Sequence, residues 1–313
     1  MSPPAAQAEI LGLIDNIEKV IVGKRDIITL VVSSLLSGGH VLLEDKPGMG
    51  KTVLAKTLAQ SIQCQFKRIQ CTPDLLPIDI TGYVHPSKGD FKKGPIFAHI
   101  VLADELNRAT PRTQSALLEA MAEGQVSVEG QSFPLEAPFM VIATQNPIEY
   151  RGVNDLPEAQ LDRFQMVLSM GYPALADEQR VLMERLSGDP LRGVGAVADA
   201  ARVRQWLAEA SRVTLDKRIV QIILTIAEST RKAKDLSLGV STRGALQLMN
   251  LSKAYALIRG RGYVTPDDIK LLGPLCFAHR IIPSQYTGDV SGRFAWQRQK
   301  IQSLVDAIKF WED

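Results

Sequence analysis

The stretch Leu42-Leu43-Glu44-Asp45-Lys46-Pro47-Gly48-Met49-Gly50-Lys51-Thr52 restricts this chain to few folds. An apolar run reads as a buried strand, a glycine-containing turn follows, and Lys51-Thr52 opens an amphipathic helix. A phosphate cradle needs that order. Glycines let backbone amides curl around phosphate oxygens, and the helix N-terminus adds partial positive charge. Lys51 reaches the terminal phosphates and Thr52 offers a hydroxyl to Mg²⁺. One position departs from the pattern G-x-x-x-x-G-K-[ST]: Asp45 stands where its first glycine belongs. The strand-turn-helix context and the core Pro47-Gly48-x-Gly50-Lys51-Thr52 are kept, so the stretch reads as a P-loop.

A chain of 313 residues holds one large domain or, more naturally, two that share a cleft. With 45% apolar and 22% charged residues, a well-packed soluble protein is expected. A formal net charge of +2 makes no global electrostatic case for nucleic acid or an anionic membrane. Cys64, Cys71 and Cys276 show no C-x-x-C spacing, and His40, His85, His99 and His279 form no ligand pair. Buried thiols in a reducing compartment are expected rather than a metal site. The first residues lack a basic region and a long apolar core, and residues 27–36 are too few to span a bilayer. The expectation is a cytoplasmic protein without stable membrane insertion.

Ile10, Leu13, Ile14 and Ile17 recur at helical spacing over residues 7–20. A second helix runs from about residue 25 to Ser37, where Gly38-Gly39 stops it. Residues 51–62 form the helix after the P-loop, and residues 66–70 a strand. Residues 72–93 are rich in Pro, Gly, Asp and Lys, and predict loop with short helical pieces. Residues 100–105 read as an apolar strand ending in Asp104-Glu105. A helix over 113–122, a hairpin about Glu129-Gly130, a buried strand over 139–144 and a last strand within 161–170 follow. Beyond Tyr172-Pro173 the chain turns helical, over residues 177–186, 198–210, 216–234, 242–259 and 266–279. The last has Thr265 as N-cap, Pro266 at the first helical position, and Asp267 and Asp268 in the first turn. The expected architecture is an α/β domain with a central parallel sheet over residues 1–172, then a smaller all-α domain with a helical tail over 173–313.

Asp104-Glu105 at a strand end supplies the second half of a nucleotide site. Asp104 is assigned to the magnesium and Glu105 to polarising the attacking water. An Asp-Glu pair alone is also what a solvated strand end carries; the P-loop about fifty residues upstream favours the ATPase reading. Asn146 follows the next buried strand, either as a contact to the γ-phosphate and attacking water or as an Asn-Pro turn. Arg163, in Leu161-Asp162-Arg163-Phe164, can cross a subunit boundary to stabilise transition-state charge, or make a surface pair with Asp162. Arg108, Arg112 and Arg151 are rivals for that role. Arg243, opening a helix of the second domain, either closes that domain over the phosphates or is an ordinary exposed helix-start residue.

Taken together, Val22-Gly23, Pro47 to Thr52, Ala103-Asp104-Glu105-Leu106-Asn107-Arg108, Ala143-Thr144-Gln145-Asn146-Pro147 and Leu156 to Phe164 resemble the MoxR family of AAA+ ATPases, in the branch related to magnesium chelatase. Residues 109–121 and Asp79-Ile80-Thr81-Gly82 extend the resemblance, which covers roughly residues 10 to 279. It implies a P-loop AAA+ domain followed by a helical lid. It implies a Walker A motif (Pro47, Gly48, Met49, Gly50, Lys51, Thr52, with Val53 beside it) and a Walker B motif (Asp104, Glu105). It further implies sensor 1 at Asn146, an arginine finger at Arg163, sensor 2 at Arg243 and adenine contacts at Val22 and Gly23. ATP or ADP with Mg²⁺ is the implied ligand. Sensor 2 sits in a looser match, with threonine where a proline is common. The family also implies a ring, a hexamer, since the finger completes a neighbour's site and a heterologous contact that closes gives a ring. The segments 74–93 and 125–135 would project toward partners. Family members act as chaperone-like remodelers, with von Willebrand factor A domain proteins as partners and metal-cofactor insertion as one role.

The alternative is a DNA-associated AAA+ motor. No Lys or Arg occurs between Arg112 and Arg151, so the hairpin carries only Glu129 and neutral residues. Phosphate tracking depends on cationic contacts, so no nucleic-acid partner is expected; Lys88, Lys92 and Lys93 are the exception, in the other insertion. A nucleotide-gated scaffold without turnover is disfavoured, because neither Glu105 nor Arg163 is needed merely to hold ATP.

Overall fold

A computed structural model describes residues 3–308, apart from residues 86, 88, 147–153, 155, 187 and 287–289. The five strands of the central sheet are β1 (Val41–Glu44), β2 (Phe66–Gln70), β3 (Ile100–Asp104), β4 (Met140–Gln145) and β5 (Met166–Leu168). They lie in the order β2-β3-β4-β1-β5, every pair parallel. Buried on both faces, β1, β3 and β4 are near-continuous apolar runs. Successive side chains still alternate. Leu43, Ile100, Leu102, Ile142 and Leu168 enter one core, whereas Leu42, Val101, Ala103, Val141 and Val167 enter the other.

The first core also holds helices α1 (Pro3–Glu18), α2 (Arg25–Leu36) and α3 (Lys51–Ser61), and continues into the second half of the chain. That half contains α4 to α8 after the helix Pro111–Glu123: α4 (Leu175–Leu186), α5 (Ala200–Ser211), α6 (Lys217–Lys232), α7 (Thr242–Ile258) and α8 (Pro266–Phe277). Helix α2 packs on α5 and α7, burying Trp206, Leu248 and Leu251. Thr265 and Asp268 close a capping box at the start of α8, and Asp268 receives Arg261 through two nitrogens, at 2.6 and 2.8 Å. The last helix, α9 (Val290–Asp306), is not a loose tail: Ile301 and Val305 are fully buried against α8, and Arg298 Nη2 donates to Val167 O at 3.2 Å. No helix among the described residues is long and apolar enough to cross a membrane.

Several expectations need correction. Residues 72–93 contain more than loop and helix, because Gly82–Val84 pairs antiparallel with Phe91–Lys93 after a short helix, Pro77–Thr81. Phe91 stacks on Phe133 of the second hairpin (Gln125–Val128 with Gln131–Pro134) at 3.9 Å between ring centroids, so the two insertions brace each other. The helical half also holds a small antiparallel pair, Leu236–Leu238 with Ile282–Pro283. The helix expected over 113–122 begins at Pro111, because the Thr110 hydroxyl accepts from the Thr113 amide and Pro suits the first position.

Candidate nucleotide-binding site

Parallel register brings the functional strand ends side by side. Gln70 aligns with Asp104, Ala103 with Ala143, and Glu44 with Gln145. The loop after β1 therefore opens beside Asp104-Glu105 and Asn146. A cavity of about 390 Å³ lies there, lined by residues 47–53, Arg68, Asp104, Glu105 and residues 144–146.

Gly48 and Gly50 hold φ of +85° and +82°, a backbone that a residue with a Cβ enters only with strain. A Cβ would meet nothing within 4 Å at Gly48, and only Met170 Cε at 3.8 Å at Gly50; loop conformation, not crowding, is what requires glycine. Lys51 Nζ donates to Asp45 O at 2.6 Å, which satisfies a half-buried ammonium whose pKa burial lowers while Asp45, Asp104 and Glu105 oppose the shift. The Asp45 side chain turns away from this cavity. Its carboxylate accepts from Ser169 Oγ at 2.7 Å, from the Met170 amide at 2.5 Å and from the Gly171 amide at 3.2 Å. Asp45 thus ties the start of the loop to the chain leaving β5.

Asp104 and Glu105 are held by residues that local motifs do not reveal. Arg68 donates to Asp104 Oδ2 through Nη2 at 2.6 Å and Nε at 3.0 Å, and Thr144 Oγ1 donates to Asp104 Oδ1 at 2.6 Å. Glu105 has φ +56°, a left-handed conformation that is strained for a residue with a side chain, and its amide donates to Thr144 Oγ1 at 2.8 Å. Glu105 Oε2 accepts from Gln70 Nε2 at 3.0 Å and from Arg108 Nη1 at 3.1 Å. Nothing near Arg68 or Gln70 in sequence marks them, and Thr144, although inside the stretch 143–147, carries no sign of this role; the register alone places all three on the carboxylates.

The donor set suits Mg²⁺ with a triphosphate. Among the described residues no group of three His, Cys, Asp or Glu side chains is arranged to hold a metal by protein ligands alone. Magnesium commonly takes one or two protein oxygens, several waters and the phosphates themselves. The Thr52 hydroxyl and the Asp104 carboxylate line one cavity and match that demand.

The sequence matches the model of the ATPase family associated with various cellular activities (AAA) over residues 40–166, and that of the AAA lid domain over residues 228–293. It is 48% identical over 273 residues to YeaC of Bacillus subtilis, spanning 86% of this chain and 85% of that protein. It is 38% identical over 282 residues to the chaperone MoxR1 of Mycobacterium tuberculosis, spanning 85% of this chain and 74% of that protein. The chain belongs to the MoxR family of AAA+ ATPases. A crystal structure from Cytophaga hutchinsonii, provisionally described as an ATPase, superposes with a TM-score of 0.87 at 36% identity, over 98% of this chain and 96% of that one.

Not every candidate residue of this MoxR-family chain lines the cavity. Gly23 lies against the start of α4, where a Cβ would come within 2.1 Å of Asp177 Oδ2, and Val22 is buried; neither lines the cavity. Arg163 lies outside the cavity lining, and its Nε and Nη1 are buried without a hydrogen-bond partner among the described residues. Arg243 is exposed at the start of α7, also outside the lining. Its helix starts beside Asp162, whose carboxylate accepts from Ser241 Oγ at 3.1 and 3.2 Å. Of the rival arginines, Arg108 pairs with Glu105, Arg112 is exposed, and Arg151 lies outside the described residues, as do Pro147 and Lys88. A second cavity, of about 650 Å³, is bounded by Glu44, Asp45, β5 and α9. Burial there pushes the Glu44 carboxyl up to about 7, while a hydrogen bond from Gln145 Nε2 at 3.0 Å opposes the shift.

Proposed function

We propose that this chain hydrolyses Mg-ATP and uses the cycle to remodel or mature protein partners. The observation that carries the proposal is the convergence of Lys51, Thr52, Asp104, Glu105 and Asn146 on one cavity at the ends of three adjacent strands. Lys51 holds the terminal phosphates, while Thr52 and Asp104 hold the metal. When bound, Mg²⁺ neutralises phosphate charge and supplies the Lewis acid. Glu105 orients and deprotonates the attacking water, and the Asn146 amide reports γ-phosphate occupancy to the sheet. Val22 and Gly23 contact adenine. Arg163 works in the site of a neighbouring subunit, within a ring of six, and Arg243 acts as sensor 2. Its absence from the subunit's own cavity lining supports a partner site for Arg163.

The braced insertions, with Leu76 and Ile78 more than half exposed, are the surface offered to clients. A chaperone-like role agrees with the name of the Mycobacterium tuberculosis relative. Von Willebrand factor A domain proteins are the proposed partner class, and metal-cofactor insertion one proposed outcome. Replacing Glu105→Gln tests the core of the reading. ATP binding should persist while turnover falls about 10²–10⁴-fold, the usual loss on removing a general base. Undiminished turnover would remove Glu105 from the mechanism.

A further inference from the structure

Arg280 closes the 3-10 turn Ala278–Arg280 after α8, and its side chain is 1% exposed. A guanidinium that deep in a protein is stable only when nearly all of its donors are satisfied. Nε donates to Asp162 Oδ1 at 2.7 Å. Nη2 donates to Asp162 O at 3.0 Å, to Phe164 O at 2.6 Å and to Gln247 Oε1. Nη1 donates to Gln165 O at 3.3 Å and to Cys276 O. One side chain thus grips the carboxylate before Arg163 and three of the four carbonyls of residues 162–165.

Other groups repeat the grip. His279 Nε2 bonds Phe164 O at 3.0 Å, Gln247 Nε2 donates to Asp162 O at 3.4 Å, and Ser241 Oγ meets the Asp162 carboxylate. Every gripping residue belongs to the helical half, and every gripped one flanks Arg163. The Arg163 side chain itself has Nε and Nη1 buried without partners among the described residues, so its placement depends on its backbone. Sliding that backbone against the lid would strand buried donors and carbonyls without partners, which a low-dielectric interior strongly disfavours.

We propose that Arg280 is a positioning residue for Arg163. It locks residues 162–165 to α7 and α8, so that the lid sets where Arg163 enters the neighbouring subunit's nucleotide site. The proposal rests on the reading that Arg163 acts across the subunit boundary. It differs from a plain structural role in where the damage falls: loss of Arg280 should silence the neighbour's site and spare the subunit's own.

The test mixes full-length variants in subunit-exchanging rings. Arg280→Met alone should bind a fluorescent ATP analogue within about twofold of the unsubstituted protein, yet turn over at least about tenfold more slowly. Mixed one to one with Glu105→Gln, itself inactive, it should regain about a quarter of the full rate, because in a closed ring half of its subunits then face an intact Arg163 donor. Arg163→Ala mixed with Glu105→Gln should regain as much, whereas Arg163→Ala mixed with Arg280→Met should regain nothing. Recovery by Arg163→Ala but not by Arg280→Met overturns the proposal and returns Arg280 to a role within its own subunit. Failure of Arg163→Ala itself to recover overturns the trans reading beneath it. Should Arg280→Met not fold, Asp162→Asn removes the ion pair from the better-solvated side. It should show a milder loss with the same pattern of recovery, and an unaltered rate would count against the proposal.

Discussion

Asp45 shows how one side chain satisfies two demands at once. It replaces the first P-loop glycine, yet its carboxylate lies against Ser169, Met170 and Gly171 and lines the second cavity rather than the nucleotide cavity. Its backbone carbonyl serves the nucleotide side by receiving Lys51. Asp45→Gly would restore the general motif, but it removes a buried carboxylate holding three donors. The expected outcome is a stability loss of about 2–4 kcal/mol with no gain in ATP affinity, measurable by denaturant unfolding and nucleotide titration. A glycine variant as stable as the parent that binds ATP more tightly would refute this account. The motif marked the loop. It could not show where the Asp45 carboxylate goes, because its partners come about 125 residues later, when β5 pairs beside β1.

Among the elements, those with local punctuation were the most legible. Thr265-Pro266 announces α8, and Glu129-Gly130 announces a two-residue hairpin turn. That turn holds Glu129 at φ +50° and Gly130 at φ +78°, the geometry that favours Asn-Gly. Glu129→Asn should therefore relieve part of the left-handed strain and stabilise the protein by about 0.5–1 kcal/mol. The thermal midpoint reports the change, and a fall would mean that Glu129 makes a compensating contact. The antiparallel pair within residues 82–93 escaped notice because its strands are three residues each, too short for alternation to register. The helical tail was expected, but the docking of α9 was not: Gln297, Ile301 and Val305 are its few buried residues, and the helix packs on α8, a neighbour that sequence alone does not name.

Across the whole molecule, the α/β core and the lid are joined by a continuous hydrophobic core and by the Arg280 clamp. A subunit so joined presents its P-loop cavity and its Arg163 as separate features; on the proposed trans-acting role of Arg163, full activity is a property of assembly. Specific ATPase activity should rise with protein concentration over the range in which the ring forms, followed by light scattering on the same samples. Arg163→Ala should stay low at every concentration while still binding ATP, with a deficit on the order of 10³-fold if the finger acts at full strength. Constant specific activity in a strictly monomeric sample would contradict a trans-acting Arg163.

The order of apolar strand, glycine turn and Lys51-Thr52 determined the nucleotide cradle, and Asp104-Glu105 after an apolar run determined its partner strand. These are local patterns, set by backbone freedom and by the alternation of buried side chains. Only the folded chain brought Arg68, Gln70 and Thr144 onto the two carboxylates, since parallel register joins residues that no spacing in sequence relates. Only the folded chain carried the Asp45 carboxylate away from the P-loop cavity and seated Arg280 against the peptides around Arg163. A buried charge is permitted wherever enough partners converge, and convergence is decided by tertiary packing.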